Sequence, residues 1–199
     1  MSIRTKMIPA DNPEAIPTAL EILAGGGTVV FPTDTVYGLA SSAFSTAAIE
    51  KLFEIKVRER GKPIAVLLGS VDQLGDVTDQ PSPAAIALAE KHWPGALTLV
   101  VPRHPGMPEI LSPQPTLGVR IPDHPVALAL LQAAGPLAVT SANLSGEENT
   151  VTAQEALSQL DGRVDLILDG GMTPGGVPST VVDMTGETPR ILRQGPVKI

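Results

Sequence analysis

Residues 25–39 read GGGTVVFPTDTVYGL, and this stretch decides the class of fold. A helical signal runs into it: Ile16, Ala19, Leu20 and Leu23 recur at the spacing of one helix face over 13–24. Pro17 leaves the first turn of that helix undefined, since proline supplies no backbone donor. The glycines at 25–27 end the element, because glycine tolerates the conformations that close a helix. Thr28, Val29, Val30 and Phe31 then form a short apolar, β-branched run of the kind found in buried strands. Pro32 breaks the run and opens a polar loop, Thr33-Asp34-Thr35-Val36-Tyr37-Gly38. Helix, turn, buried strand and polar loop make up the unit of α/β proteins, which build their sites in loops at strand ends.

Outward from this unit the alternation continues. Residues 45–55 read as a helix with Ile49, Leu52 and Phe53 facing inward, and 64–68 as a strand. Ser70 and Gln73 have the spacing of a capping box opening a short helix. Ser82 and Pro83 are an N-cap and a first-turn proline for a helix to residue 91. Strands follow at 97–101 and 117–121. A helix over 124–134 stops at Gly135-Pro136, and a strand at 137–140 runs into a second polar loop. Thr152 and Glu155 cap another helix. Strands at 166–168, 180–182 and 190–192 complete the series, with no helix between the last two. The reading is therefore α/β: a single domain with a twisted, mixed parallel/antiparallel sheet flanked by helices. The Pro/Gly-rich stretches 102–115 and 170–178 are loops long enough to serve a site.

Composition narrows the function. At 199 residues and 43% hydrophobic, the chain supports one sizeable core rather than two independent domains. Net charge is −7, which argues against a generally basic nucleic-acid-coating surface. The absence of cysteine excludes disulfides, thiolate nucleophiles and Cys-ligated zinc. The N-terminal residues lack a signal-peptide core, and no run approaches the roughly 20 apolar residues of a membrane span. A cytoplasmic protein without membrane contact is expected.

The sequence contains neither GxxxxGK[ST] nor GxGxxG, so a nucleotide would need another kind of cradle. Five segments carry polar chemistry, each with a plainer alternative. The loop 32–38 gathers two hydroxyls and a phenol that can orient a small polar substrate; the alternative is a turn in which Asp34 bonds its own backbone. Lys56-Val57-Arg58, with Arg60 and Lys62 beyond, presents alternating cations suited to a polyphosphate, or a solvated helix end compensated by Glu54 and Glu59. Residues 140–146, TSANLSG, form a hydroxyl- and amide-rich loop. Arg120 interrupts an apolar strand and needs an anionic partner. That partner is either a structural carboxylate such as Asp123 or Asp183, or a substrate anion. Ser179 follows a glycine-rich loop, and Arg193 lies near the C-terminus. His92, His104 and His124 lack metal-ligand spacing.

Taken together, FPTDTVYGL at 31–39, KVR at 56–58, WPGALTLV at 93–100, GVRIPDHP at 118–125, TSANLSG at 140–146, PSTVVD at 178–183 and ILRQG at 191–195 resemble the YrdC/Sua5 family of threonylcarbamoyl-adenylate synthases. The resemblance spans residues 13–196, in a single YrdC-like domain over 1–199. It implies a deep cationic cavity and the reaction of L-threonine, bicarbonate and ATP to threonylcarbamoyl-AMP and pyrophosphate, with Mg2+ carried by the nucleotide. It further implies a downstream threonylcarbamoyl-transferase complex acting at adenosine 37 of tRNA, with weak direct contact to RNA as an option. Carried over by motif, Lys56 and Arg58 are the catalytic basic pair on the ATP phosphates. Lys62, Thr116, Ser141, Asn143 and Arg193 are further ATP-side residues. Thr35, Tyr37, Arg120 and Ser179 face threonine and bicarbonate. No resident metal site is implied. Leu67 stands where longer members carry a histidine, and Lys62 where many carry asparagine. Ending soon after Arg193, the chain resembles the short form of the family. Two other readings remain: an RNA- or tRNA-binding module of this fold without adenylation activity, and a related carbamoyl-adenylate chemistry. The first is favoured by five of the 14 Lys/Arg residues falling in 51–62 and opposed by the acidic net charge and scarce aromatics.

Overall fold

The computed structural model describes residues 4–57 and 59–199. Along the chain run β1 (Lys6–Pro9), α1 (Ala15–Ala24), β2 (Val29–Phe31), β3 (Gly38–Ser42), α2 (Thr46–Lys56), β4 (Ala65–Leu67), α3 (Leu74–Val77) and α4 (Pro83–His92). They are followed by β5 (Leu97–Pro102), β6 (Thr116–Arg120), α5 (Pro125–Ala134), β7 (Leu137–Ser141), α6 (Ala153–Leu160), β8 (Leu166–Asp169), β9 (Thr180–Asp183) and β10 (Arg190–Arg193). The strands form one sheet in the order β1-β8-β2-β3-β7-β4-β6-β5-β9-β10. It is mixed, as expected: β1–β8, β8–β2, β4–β6 and β5–β9 are parallel, and the other neighbours are antiparallel. Among the described residues, no helix is long and apolar enough to cross a membrane.

The helix starts follow local chemistry. The Ser45 hydroxyl accepts from Ala48 N and the Ser82 hydroxyl from Ala85 N, both at 3.2 Å. Thr152 and Glu155 form the reciprocal capping box. His124 caps α5 with its ring, Nδ1 accepting from Val126 N at 3.2 Å. The expected box at Ser70 does not form. Ser70 makes no side-chain cap bond, and Gln73 instead accepts from Gly69 N at 2.7 Å and donates to Leu131 O at 3.3 Å. A long-range tie to α5 has displaced the local motif.

Two strands went unread in the sequence. β1 is a short, largely exposed edge strand ending in proline, and β3 is GLASS, whose small residues carry no β-branched signal.

Strand alternation sorts the core into two layers. Val30, Leu39, Ala138 and Ile167 point to one face, where they meet Ile49 and Leu52 of α2 and Ala156 and Leu160 of α6. Their neighbours Val29, Phe31, Ala40, Leu137, Leu166 and Leu168 point to the other face, against Ala15, Ala19 and Leu23 of α1 and Ala127, Leu130 and Leu131 of α5. The α1–α5 pair covers that second face from β1 across to Leu137 of β7 and Leu67 of β4, and the cavity opens over the remainder.

Gly69 lets β4 approach α5. A Cβ there would lie 2.4 Å from Gln132 N and 2.6 Å from the Leu131 carbonyl carbon, both backbone atoms that cannot swing aside. Gly69→Ala is expected to destabilise the fold by about 1–3 kcal/mol, the scale of overpacking, lowering the thermal midpoint by roughly 2–4 °C per kcal/mol. A calorimetric melt superimposable on wild type would refute this close packing.

Candidate active site

A cavity of about 930 Å3 opens on the sheet face that α1 and α5 leave bare. Its floor is one set of alternate strand residues: Ala65 and Leu67 of β4, Thr98 and Val100 of β5, Thr116, Gly118 and Arg120 of β6, and Val181 and Asp183 of β9. The intervening residues Val66, Leu97, Leu99, Leu117, Val119 and Val182 belong to the opposite core. Gly118 keeps the floor low, since a Cβ there would stand 3.3 Å from the Thr98 methyl.

The loop 33–37 forms one wall. Thr33 closes it: its hydroxyl donates to Val36 O at 2.7 Å and accepts from Thr35 N and Val36 N at 3.2 and 3.3 Å. The turn therefore does not use Asp34, whose carboxylate pairs with Arg120 instead. Two of the alternatives left open by the sequence are thereby corrected: Asp34 does not close the turn on its own backbone, and the structural carboxylate at Arg120 is neither Asp123 nor Asp183. Arg120 is 6% exposed. It also donates from Nε to Gly95 O at 2.9 Å and from Nη1 to the Thr35 hydroxyl at 3.2 Å. Burial weakens its hold on its proton, the Asp34 carboxylate counters that, and Arg193 opposes it slightly. A guanidinium remains charged throughout.

On the opposite wall, Arg193 of β10 donates from Nε to Ser179 O at 3.0 Å and from Nη2 to the Ser179 hydroxyl at 3.2 Å. That hydroxyl lies 2.7 Å from the Thr98 hydroxyl. Among the described residues that line the cavity, Asp183 on the floor is the acid, and a neighbouring cation partly offsets its charge. Thr185 donates to it from side chain and backbone, and Arg190 lies at 3.0 Å, so its carboxyl sits below the usual carboxylate range. The cavity therefore offers cationic and hydroxyl chemistry, which suits anionic ligands.

Thr35, Tyr37, Thr116, Arg120, Ser141, Ser179 and Arg193 all border this one cavity. Lys56 and Asn143 lie beneath the wall rather than in it. Lys56 is 1% exposed; its ammonium donates to Ser141 O at 2.5 Å, to Asn143 O, and to Asn143 Oδ1 at 3.2 Å. Ser145 N returns a bond to Lys56 O at 3.0 Å. The cation thus holds the loop that presents Ser141. Val57 follows with φ 50° and ψ 45° and is 73% exposed. A β-branched residue in the left-handed region costs on the order of 1–3 kcal/mol, so the corner after Lys56 is strained. Arg58 lies outside the described residues. Lys62 points to solvent, 3.5 Å from Glu59, and does not reach the cavity wall.

Thr98, Gln114, Asn149 and Asp183 also line the cavity. None was singled out as a site residue, because each falls in an ordinary strand or loop pattern and only its facing direction makes it part of the site. Tyr37 borders the cavity, but its phenol points away from it. The hydroxyl donates to Gly171 O at 2.6 Å and accepts from Gly170 N at 3.3 Å. Burial pushes its pKa up to about 12. Tyr37 is the single tyrosine of the chain, so tyrosinate absorbance reads it alone. The folded protein is expected to titrate near 12 and the denatured chain near about 10. Because the folded value is the higher, this group's contribution to stability is complete below about pH 10 and is lost as pH rises through the folded value. A folded-state midpoint at the denatured value would contradict the buried bond to Gly171.

Comparison with known proteins matches this architecture. The Sua5/YciO/YrdC family model, described as "Telomere recombination", matches residues 21–195. A Bacillus subtilis threonylcarbamoyl-AMP synthase is 42% identical over 190 residues, covering 92% of this chain and 54% of that protein. The crystal structure of P. abyssi Sua5 complexed with L-threonine superposes with a TM-score of 0.89 at 35% identity, covering 98% of this chain and 58% of that one. E. coli YciO superposes with a TM-score of 0.86 at 32% identity, covering 98% and 97%. The chain thus spans little more than half of the first two relatives and nearly all of the third. With sequence, fold and family model agreeing across the whole cavity, the chain belongs to the Sua5/YciO/YrdC family.

Proposed function

We propose that this chain is a threonylcarbamoyl-AMP synthase, a nucleotidyltransferase that condenses L-threonine, bicarbonate and ATP to threonylcarbamoyl-AMP and pyrophosphate. The supporting observation is the convergence of Thr35, Thr116, Arg120, Ser141, Ser179 and Arg193, from well-separated segments, on one cavity of about 930 Å3. That volume lies in the upper range of small-molecule sites and suits a nucleotide beside an amino acid. Close sequence kinship to named synthases over 92% of the chain supports the same reading.

In this reading the buried guanidinium of Arg120 receives the threonine carboxylate, with the Thr35 and Ser179 hydroxyls beside it. Arg193, Thr116, Ser141 and Arg58 serve the triphosphate, and Lys56 acts by holding the Ser141–Asn143 loop. The threonine amine adds to carbon dioxide derived from bicarbonate, losing a proton and forming a carbamate. A carbamate oxygen attacks the α-phosphorus, and pyrophosphate leaves with the electron pair of the broken P–O bond. The protein forms no covalent intermediate; it aligns two anions and stabilises developing charge. Tyr37 is not the base that receives the amine proton, since its phenol is neutral and committed to Gly171.

Among the described residues, no group of three or more His, Cys, Asp or Glu side chains is arranged to hold a metal. A divalent ion, magnesium by its preference for oxygen, enters with the triphosphate as part of the substrate. The product is a mixed anhydride, suited to a transferase that passes the threonylcarbamoyl group to adenosine 37 of tRNA. The RNA-module reading finds less support. Lys51 donates to Gly26 O at 2.6 Å, and Arg60 and Lys62 pair with Glu50 and Glu59 at 3.7 and 3.5 Å, so two of the segment's cations already face carboxylates.

The test is pyrophosphate release from ATP with threonine and bicarbonate each omitted in turn. Release is expected to need both, and Arg58→Ala is expected to lower it at least ~100-fold, the scale of losing a principal electrostatic stabiliser. Release that ignores threonine would sink the assignment.

A further inference from the structure

Asp34 stands out among the charged groups because the function described above gives it no task. It is not in the cavity wall, whereas Thr35 and Arg120 are. The turn that contains it is closed by Thr33, not by its own carboxylate. That carboxylate reaches across 86 positions of sequence to the Arg120 Nη2. Arg120 is therefore gripped from three directions: by Gly95 O on Nε, by the Thr35 hydroxyl on Nη1 and by Asp34 on Nη2. A guanidinium has five N–H groups, so two remain for a ligand.

The three grips are not equivalent. Gly95 O and Thr35 are neutral acceptors, and Thr35 is itself shared with Thr33, whose hydroxyl lies 3.0 Å away. Asp34 alone supplies an ionised acceptor, so its contact is an ion pair as well as a hydrogen bond, the stronger kind. Arg193 acts on Arg120 as a like charge, so a second cation bears on an already buried one. A fixed acceptor behind the guanidinium is what keeps it oriented before a substrate arrives, and preorganised donors bind without a fresh entropic cost.

We propose that Asp34 is a positioning residue: from behind the cavity wall it fixes the Arg120 guanidinium in the orientation that receives the carboxylate of the amino-acid substrate, without touching that substrate. The proposal rests on the reading of Arg120 as the carboxylate receptor, and it places a determinant of amino-acid affinity outside the cavity.

Asp34→Ala and Asp34→Asn separate the possibilities. Pyrophosphate release would be followed with threonine and ATP varied independently, and threonine and ATP binding measured by calorimetry on the same preparations. Asp34→Ala is expected to raise the threonine KM and Kd at least ~10-fold, the scale of losing a charge-assisted hydrogen bond. The ATP Kd should stay within about twofold, because the ATP-side groups Thr116, Ser141 and Arg193 do not contact Asp34. Asp34→Asn keeps an oxygen acceptor for Nη2, so its threonine constants should rise by only about threefold. If Asp34→Ala does not fold, the near-isosteric asparagine variant carries the test alone. Unchanged threonine constants in whichever variants fold would overturn the proposal, as would parallel losses for threonine and ATP, which mark general damage. Wild-type protein that binds no threonine at all would overturn the reading of Arg120 and this proposal together. Normal wild-type binding with unaltered variants would overturn this proposal only.

Discussion

A strand cannot present two consecutive side chains to the same side of a sheet, and that constraint organises this molecule. Because β4, β5, β6 and β9 lie side by side, residues 65, 67, 98, 100, 116, 118, 120, 181 and 183 share one face. Their immediate neighbours are the apolar residues that anchor the sheet to the helices behind it. The same residues that hold the fold together thus hold the floor of the cavity. Helices α1 and α5 cover that face from β1 across to β7 and the end of β4, and the cavity lies over what they leave uncovered.

Two buried cations are the second structural theme. Neither is stable without compensation, since an unpaired charge in the interior costs several kcal/mol. Lys56 is compensated by carbonyls of the 141–143 loop, so one ammonium ties the end of α2 to the end of β7. Arg120 is compensated by Asp34, Gly95 O and Thr35, so one guanidinium ties β6 to the loop after β2. In both cases the solution to a burial problem makes a polar loop rigid at the edge of the cavity. Both of these hydroxyl-bearing loops are held in place by side chains from elsewhere in the chain, which preorganises them.

The distribution of charge around the cavity fits its size. Arg120 and Arg193 face it, while the Asp183 carboxylate is bonded by Thr185 and paired with Arg190. A protein of net charge −7 has thereby built a local concavity suited to anions, which the overall balance does not suggest. Tyr37, the largest fully buried side chain among the described residues, braces the wall through Gly170 and Gly171.

Much of this was legible in the amino-acid order alone. Apolar periodicity, the caps at Ser82 and Thr152 and the glycine stops place most helices and strands, because these signals act within a few residues of one another. The order of motifs identifies the family for the same reason: it is a property of the chain itself. The strand GLASS at 38–42 left no trace, since its small residues become a strand only between β2 and β7. The Ser70 cap lost to a bond between Gln73 and α5. The sequence identified Arg120 as a buried charge needing an anion, but the carboxylates it offered, Asp123 and Asp183, are not the one the fold supplies, which is Asp34; the burial of the Lys56 ammonium against the Ser141–Asn143 loop was not legible in it. Local pattern determines which segments become helix or strand and which face of each is apolar. Which groups a buried charge meets is decided only when segments as far apart as residues 34 and 120 pack together, because hydrogen bonds and ion pairs act over a few ångströms of space with no regard to distance along the chain.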